Sequence, residues 1–351
     1  METIKYFDMF SGIGGFRLAF DRAGFKSVGF CEIDPHVRNL YKAYFDTEGE
    51  FECYDATKID PQQLPDFDIL VGGFPCQAFS IAGKRQGFDD TRGTLFFDIV
   101  RILTHKKPRY ILLENVKGLL NHNGGKTFST ITQILTHLGY RVEWQVLNSK
   151  YFCIPQHRER VFIVGCLRDL RPGKIFPITR IDTENINKIR DGKLSIDPKL
   201  CFINKPRFDQ YKTSDIVQTL KVAGDIPLMR VRNGTKKGYD EAKIGDGINL
   251  AYPKNAARRG RVGKQVSQTL DTHCQMGTIA GDESTGYRIR RLTPLECFRL
   301  QGFPDDMVEK AREIKLCDNR LYKMAGNAVT VNVVEAIARK IMAEIQDQKN
   351  V

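Results

Sequence analysis

Residues 72–80 read GGFPCQAFS, and they follow a short apolar run at residues 68–71, DILV. The apolar run predicts a buried parallel strand that ends at two glycines. Open α/β sheets place their chemistry at the carboxyl ends of such strands. Pro75 fixes its own φ angle and biases Phe74 toward an extended conformation, which stiffens the backbone that carries Cys76. The stretch therefore favours an α/β fold with a cysteine aimed from a strand end.

The role of Cys76 cannot be decided on this stretch alone. A free thiol has a pKa of about 8.5, so an attacking cysteine needs positive neighbours or a dipole to become a thiolate. Most single cysteines are instead buried structural residues. The motifs that follow along the chain favour a nucleophilic role for Cys76 over a structural one.

Length and composition indicate a soluble protein with one large and one smaller domain. The chain has 351 residues, with 41% hydrophobic and 27% charged residues, which is ordinary for globular proteins. No apolar run approaches the length of a membrane span, and the N-terminus lacks the features of a signal peptide. We therefore expect a cytoplasmic protein. Nine cysteines without a C-x-x-C pair suit neither a disulfide framework nor a zinc site, and no metal is expected.

Positive charge is concentrated in one segment of the chain. The net charge is +12, and the pI is about 9.2. Residues 166–288 contain 23 Lys and Arg against 14 Asp and Glu, so they hold +9 of the total. A basic segment joined to a nearly neutral remainder is typical of a nucleic-acid reader attached to a catalytic core.

A glycine-rich turn and two acidic residues follow the first strands. Residues 5–10 alternate as a strand, and SGIGG at residues 11–15 turns into a predicted helix. Glycines there let the backbone approach a ligand, although a lone glycine turn is a weak signal. Glu32 ends the second strand, where such folds hydrogen-bond a ribose diol. Asp55 is placed to accept from an adenine amino group. The alternative for each acid is a loop charge or a helix cap.

Further candidates follow Cys76 along the chain. Residues 78–94 form a long loop with glycines among basic side chains, which suggests a lid that closes on a phosphate backbone. A predicted strand at residues 110–113 leads into Glu114-Asn115-Val116, which brings the Glu114 carboxyl group to the same sheet edge as Cys76. QHRER at residues 156–160 precedes another strand, and its two arginines are expected to share one face. Surface salt bridges are the alternative for that pair.

With these residues in view, the sequence resembles the C5-cytosine DNA methyltransferases over nearly its whole length. The resemblance implies an α/β, Rossmann-like class I S-adenosylmethionine-dependent methyltransferase sheet with a second, smaller target-recognition domain. It rests on six motifs in family order: DMFSGIGGF at 8–16, GFPCQAFS at 73–80, ENV at 114–116, QHRER at 156–160, RRLTPLECFRLQGFP at 290–304 and GNAV at 326–329.

The resemblance implies a role for each candidate residue. Catalytic roles fall to Cys76, which would add to C6 of cytosine, Glu114, which would act at N3, Arg160, which would bind O2, and Arg158, which would support it or hold a phosphate. Contacts to S-adenosylmethionine fall to Phe10, Ser11, Gly12, Gly14, Gly15, Glu32, Ile33, Asp55, Pro75, Leu95, Asn327 and Val329. Asn327 and Val329 are expected beside Phe10. Contacts to DNA fall to Gln77, Lys84, Arg85, Arg92, Arg258, Arg259, Arg261 and Thr269.

The implied organisation has three segments. Residues 1–185 would form the first part of the catalytic and cofactor-binding domain, residues 186–290 the target-recognition domain, and residues 291–351 the return to the catalytic domain. The partner would be double-stranded DNA, from which the target cytosine is flipped. A cognate restriction endonuclease is a candidate partner, and we expect a monomer, encoded by a bacterium or phage and associated with the nucleoid.

Three other functions compete with this interpretation. A tRNA cytosine-5 methyltransferase would use the same chemistry, but the Cys-Phe-Thr signature of that branch is not found. A non-catalytic DNA-binding relative would have lost the Pro-Cys or ENV residues, and both are intact. A nicotinamide dehydrogenase would explain the glycine turn but leave Cys76, Arg158 and Arg160 without a role.

Overall fold

The computed structural model describes residues 3–75, 95–170, 173–178, 216–220, 228–233, 236–250, 261–280 and 287–349. The chain divides into two compact units. The first unit comprises Met1–Asn148, Glu159–Thr183 and Val329–Val351, and the second comprises Ser149–Arg158 and Glu184–Ala328. The segment predicted to read DNA, 186–290, lies within the second unit.

The first unit is built on a seven-stranded sheet. Its strands are β1 (Lys5–Met9), β2 (Lys26–Cys31), β3 (Phe51–Cys53), β4 (Ile69–Gly73), β5 (Tyr110–Val116), β6 (Tyr140–Asn148) and β8 (Glu159–Leu167). They lie in the order β3-β2-β1-β4-β5-β8-β6. The first five strands in this order, β3, β2, β1, β4 and β5, are parallel. Strand β8 runs antiparallel to both β5 and β6. The predicted α/β sheet is confirmed.

In the described part of the first unit, five helices cover this sheet: α1 (Gly15–Arg22), α2 (Pro35–Tyr44), α3 (Leu95–Lys106), α4 (Lys126–His137) and α8 (Val331–Lys349). Asp34 caps α2 by accepting the His36 N–H, and Pro35 occupies the first turn, where a missing N–H costs nothing. The central strands are apolar on both faces, as expected for strands covered by helices on both sides. Phe7, Leu70 and Ile111 are fully buried in this core.

One strand is longer than the sequence pattern predicts. The apolar run suggests an end at Leu113, but β5 continues through Glu114 and Asn115 to Val116. The extension arises because β8 pairs along the whole length of β5, from Tyr110 opposite Cys166 to Val116 opposite Arg160. Glu114 therefore sits within a paired strand, whose backbone holds it more firmly than a loop would.

The described residues of the second unit form short strands and three helices. Its strands are β7 (Gln156–His157), β9 (Ile216–Leu220), β10 (Leu228–Arg232), β11 (Tyr239–Ala242), β12 (Gly247–Asn249), β13 (Val262–Gly263), β14 (Ser267–Gln268), β15 (Met276–Ala280) and β16 (Arg288–Arg291). Its helices are α5 (Pro294–Arg299), α6 (Asp305–Glu313) and α7 (Asp318–Asn327). A capping box between Thr293 and Glu296 begins α5. The Glu296 carboxylate also binds the Arg290 guanidinium at 2.6 and 2.8 Å, and both side chains are nearly buried.

No described helix is long and apolar enough to cross a membrane. Among the same residues, no group of three or more His, Cys, Asp or Glu side chains is arranged to hold a metal ion.

Candidate active site

The glycine-rich turn is held by backbone hydrogen bonds at the end of β1. The Ser11 N–H donates to the Cys31 carbonyl at the end of β2, and the Gly14 N–H donates to the Ser11 carbonyl, both at 2.9 Å. Gly12 and Gly14 have positive φ angles, +55° and +85°, which favour glycine. A Cβ on Gly14 would strike the Phe45 ring, whereas a Cβ on Gly12 would meet none of the described atoms within 4 Å. The backbone at Gly12 thus lies open to a ligand.

Glu32 lies immediately beyond β2, beside this turn. One of its carboxylate oxygens accepts the Gly12 N–H at 3.0 Å and the other accepts the Asp34 N–H at 2.8 Å. Each carboxylate oxygen can accept a second hydrogen bond, so a ribose diol can still bind there. The next residue, Ile33, has 69% of its surface exposed, which provides an apolar face beside the carboxylate.

Asp55 follows β3 and caps a short helical turn, Ala56–Lys58. Its Oδ1 accepts the Thr57 hydroxyl at 2.8 Å and the Thr57 N–H at 3.0 Å. These hydrogen bonds lower the pKa of Asp55, so the group is a carboxylate near neutral pH. The helix-cap alternative describes what the carboxylate does in this structure. Its Oδ2 makes no hydrogen bond with the described residues, and Tyr54 beside it is 55% exposed.

The other predicted cofactor residues fall at several places. Gly15 begins α1 and is buried, and Leu95 begins α3 with its side chain against the core. Phe10 has a φ of +62° and also packs on the core. Pro75 is exposed just beyond β4. Val329 belongs to the first unit, while Asn327 ends α7 in the second, and their expected position beside Phe10 stays a prediction.

Sequence reasoning missed one acidic residue that lies shortly before the glycine-rich turn. Asp8 lies within β1, is fully buried, and neither carboxylate oxygen has a hydrogen-bond partner among the described residues. Burial raises the pKa of the Asp8 carboxyl well above its ordinary value. The signal available in the sequence was a lone acid inside an apolar strand.

Glu114 and Arg160 form an ion pair beside the end of β4. Arg160 Nε lies 3.0 Å from Glu114 Oε1, with 16% and 13% of the two side chains exposed. Glu114 is registered opposite Gly73 of β4, and a Cβ on Gly73 would lie 3.1 Å from Glu114 Oε2. The glycine therefore leaves room for the carboxylate next to the backbone that leads to Pro75. The structure brings together two residues predicted to act on one substrate.

Asn115 connects the ENV motif to the Pro-Cys motif. Its side-chain N–H donates to the Phe74 carbonyl at 2.8 Å, its Oδ1 accepts the Val116 N–H at 2.9 Å, and the residue is 2% exposed. Phe74 itself is buried against Phe96 of α3. Asn115 thus fixes the backbone two residues before Cys76. Sequence reasoning assigned no role to this asparagine beyond its place in the motif.

Arg158 does not share a strand face with Arg160. Arg158 precedes β8 and is 2% exposed in the second unit. Its guanidinium donates to the carbonyls of Ala328 at 2.7 Å, Gly326 at 3.2 Å and Leu270 at 3.5 Å. The expected common face is wrong because the chain leaves β7 and changes units between the two arginines. Arg158 therefore contacts the segment that contains Asn327, and its predicted role of supporting Arg160 or holding a phosphate stays a prediction.

A cleft of about 640 Å³ lies in the second unit. The Thr269 hydroxyl, at its edge, donates to the His157 carbonyl at 2.8 Å, and β14 pairs with β7. The cleft is lined by hydrogen-bonding and basic side chains, which include Lys150, Asn249, Arg261, Gln268 and Thr269. Two residues predicted to contact DNA, Arg261 and Thr269, therefore line the same cleft.

The remaining predicted site residues lie outside the described residues. They are Cys76, Gln77, Lys84, Arg85, Arg92, Arg258 and Arg259. Their predicted roles continue to rest on the sequence.

Comparison with known proteins decides the family. The family model of the C-5 cytosine-specific DNA methylases matches residues 4–343. The chain belongs to this family. It is 38% identical to the type II methyltransferase M.NgoBI of Neisseria gonorrhoeae over 96% of this chain and 92% of that protein. It is 30% identical to the orphan methyltransferase M.SPRI of Bacillus phage SPR over 97% and 98%.

The fold of this DNA cytosine-5 methyltransferase is also found among solved structures. The S. pombe Dnmt2 methyltransferase matches it with a TM-score of 0.57 at 17% identity, over 99% of this chain and 100% of that one. At that identity the likeness concerns the fold. It agrees with the predicted class I methyltransferase sheet.

Removing the Asn115 amide from the methylase tests the connection to the Pro-Cys turn. Asn115→Ala leaves the Phe74 carbonyl and the Val116 N–H without their partner, which costs about 1–3 kcal/mol when such groups are buried. We expect the rate of methyl transfer at saturating substrates to fall about tenfold or more, measured with a radiolabelled methyl donor. Asn121→Ala, at an exposed position, is the control. Equal rates in the two variants would remove the positioning role.

The buried Arg158 of the methylase is expected to contribute mainly to stability. Arg158→Ala removes a charged donor from three carbonyl oxygens, and we expect the free energy of unfolding to fall by about 3 kcal/mol. Thermal and urea unfolding would measure this. Arg312→Ala removes an exposed ion pair with Asp318 and should cost less than about 1 kcal/mol. A similar loss in both variants would contradict the structural role.

Proposed function

We propose that this methylase transfers a methyl group from S-adenosylmethionine to C5 of a cytosine in duplex DNA, through a transient bond between Cys76 and C6. The observation that carries the proposal is the Glu114–Arg160 pair, placed beside the strand end that leads to Cys76. Asn115 ties the same strand to the Phe74 carbonyl. An acid and a guanidinium thereby lie beside the strand end from which the chain continues toward Cys76.

The cysteine answers the main chemical difficulty of the reaction. C5 of cytosine is a poor nucleophile, and addition of the Cys76 thiolate at C6 makes the ring electron-rich at C5. Covalent catalysis of this kind splits one difficult step into easier ones. After methyl transfer, loss of the C5 proton and elimination of the thiolate restore the aromatic ring.

Glu114 and Arg160 would act on cytosine at N3 and O2, away from the bond between C5 and C6. Glu114 would protonate or hydrogen-bond N3 as the ring becomes enamine-like, which is general acid catalysis. Arg160 would bind O2 and offset the charge that builds there. The ion pair supports this division of roles, because it holds the carboxylate and the guanidinium side by side with both largely buried. Two adjacent groups of this kind match N3 and the exocyclic O2, which lie side by side on one edge of cytosine.

The residues around the glycine turn fit S-adenosylmethionine, which supplies an electrophilic methyl group when bound. Open space at the Gly12 Cβ position allows close approach to the backbone. The remaining acceptor positions of Glu32 suit the ribose hydroxyls, and Asp55 Oδ2 suits the adenine amino group. The exposed side chain of Ile33 offers an apolar surface to the adenine ring. The buried Ser11 hydroxyl, which has no partner among the described residues, adds a donor at the turn.

The second unit would bind the duplex. Its cleft combines Lys150 and Arg261 with the amides of Asn249 and Gln268, a mixture that suits phosphates and base edges. The target cytosine must leave the base stack for its C6 to be reached, at a cost of a few kcal/mol. The relatives include type II and orphan methyltransferases, so the product would either protect DNA from a restriction endonuclease or mark it independently of one.

The test is to incubate the full chain with a radiolabelled methyl donor and either genomic DNA or total tRNA. Digestion to nucleosides followed by mass spectrometry identifies the product. We expect 5-methyldeoxycytidine in the DNA sample. Methylated cytidine in tRNA alone would favour the RNA alternative. Donor binding without product in either sample would favour a non-catalytic relative.

A further inference from the structure

One arginine of α2 contacts both of the loops that carry the predicted cofactor carboxylates. Glu32 and Ile33 follow β2, and Asp55 follows β3. Because β2 and β3 are parallel neighbours, the two loops leave the sheet at the same edge. Arg38 lies in the first turn of α2, with 17% of its side chain exposed. Its contacts show how the two loops are held relative to each other.

The Arg38 guanidinium binds the first loop through backbone oxygen atoms. Its Nη1 donates to the Glu32 carbonyl at 2.9 Å and to the Ile33 carbonyl at 3.1 Å. These carbonyls belong to the peptide groups on either side of Ile33, and hydrogen bonds from a charged donor are roughly twice as strong as neutral ones. Arg38 thus fixes the backbone that presents the Glu32 carboxylate and the exposed Ile33 side chain.

The same guanidinium covers part of the second loop. Its central carbon lies 4.1 Å from the centroid of the Tyr54 ring, which is a cation–π contact. The Nε atom lies 3.9 Å from a carboxylate oxygen of Glu52 on β3. Since Tyr54 directly precedes Asp55, Arg38 connects the loop of Glu32 to the residue next to Asp55.

The loop after β3 has a second support on another helix. Arg101 of α3 donates to the Ala56 carbonyl at 2.9 Å and to the Ile59 carbonyl, and it pairs with Asp98 at 3.0 Å. This loop is therefore held at residues 56–59 without Arg38. Loss of the Arg38 side chain would release the loop after β2 more than the loop after β3.

We propose that Arg38 is a positioning residue for the adenosine half of S-adenosylmethionine. It acts through the backbone of Glu32 and Ile33 and through the Tyr54 ring, and it holds the Glu32 and Asp55 carboxylates at a fixed separation. The ribose and the adenine of one ligand must meet both carboxylates at once, so a fixed separation avoids an ordering cost on binding. The proposal rests on the proposed function, because it takes S-adenosylmethionine as the ligand.

Calorimetry with S-adenosylhomocysteine, the product formed from the methyl donor, measures the effect without turnover. Arg38→Ala frees both loops, so a smaller fraction of molecules has the arrangement that binds, and the apparent affinity falls by that fraction. We expect the dissociation constant to rise about tenfold. Arg38→Lys keeps the charge but not the planar group that reaches two carbonyls and the ring, and it should recover part of the affinity.

Lys42→Ala is the matched control on the same helix. Lys42 lies one turn after Arg38 and pairs with Glu52 at 2.6 Å, with 46% of its side chain exposed. Its loss removes the same charge from beside the same carboxylate without releasing either loop. The dissociation constant should stay within about twofold of that of the unaltered chain, because such exposed ion pairs contribute little.

The kinetics of methyl transfer separate positioning from a general structural role. Arg38→Ala should raise the KM for the donor and leave kcat unchanged, because a loss of binding that is equal in the ground and transition states does not alter kcat. In the double variant Arg38→Ala/Glu32→Ala, the two losses of affinity should combine to less than their product, since one residue acts through the other.

The proposal is overturned if Arg38→Ala binds S-adenosylhomocysteine as tightly as Lys42→Ala, if kcat falls while the affinity is retained, or if the two losses multiply in the double variant. Should thermal unfolding show that Arg38→Ala does not fold, Arg38→Lys decides by the same comparison with Lys42→Ala. Failure of the proposed function is seen separately. In that case the unaltered chain would bind no S-adenosylhomocysteine, before any variant is compared.

Discussion

Replacing Cys76 with alanine should abolish methyl transfer, with a fall in rate of about four orders of magnitude or more. The reason is that no other side chain placed by the sequence at this strand end can add to C6 and activate C5. The direct measurement uses duplex DNA containing 5-fluorocytosine together with the methyl donor. Fluorine cannot leave as a cation, so the thiol stays bonded to the ring, and the adduct survives denaturing electrophoresis.

Two controls make the Cys76 result specific. Cys153→Ala removes an exposed thiol and should retain both activity and the adduct. Calorimetry should show that Cys76→Ala still binds S-adenosylmethionine. An adduct that persists in Cys76→Ala would place the nucleophile elsewhere. Loss of cofactor binding together with activity would instead mean that the cysteine is structural.

Glu114→Gln has the second largest expected effect. Glutamine keeps the size of the side chain but cannot deliver a proton to N3, and it loses the ion pair with Arg160. General acid catalysis contributes roughly 100- to 10,000-fold, so turnover should fall within that range. DNA affinity, measured by titration of a labelled duplex, should change little by comparison.

Glu159→Gln is the matched control for Glu114→Gln. Glu159 lies on β8 and pairs with Lys117 at the surface at 3.0 Å, so its loss should have little effect on turnover. Full activity in Glu114→Gln would remove its role at N3. An equal fall in DNA affinity and turnover would indicate that Glu114 supports the structure of the site rather than the chemistry.

The sequence predicted the first unit better than the second. Apolar runs, glycine turns and acidic strand ends have local causes, so the strands around Cys31, Val71 and Leu113 could be located from pattern alone. The second unit lacks such periodicity, because short strands with few buried residues leave little pattern to detect. Its smaller core, around Met229, Ile248 and Ile279, gave no recognisable signal.

Residue chemistry is what the sequence by itself determined: a Pro-Cys turn at a strand end, an acid on the next strand and a basic segment. Only the tertiary structure decided which of these residues meet. It paired Glu114 with Arg160, gave Asn115 the Phe74 carbonyl, and placed Arg158 among backbone carbonyls of the second unit. The physical reason is that strand register and long-range hydrogen bonds join residues that are far apart in the chain. A local sequence pattern does not show which distant residues become neighbours.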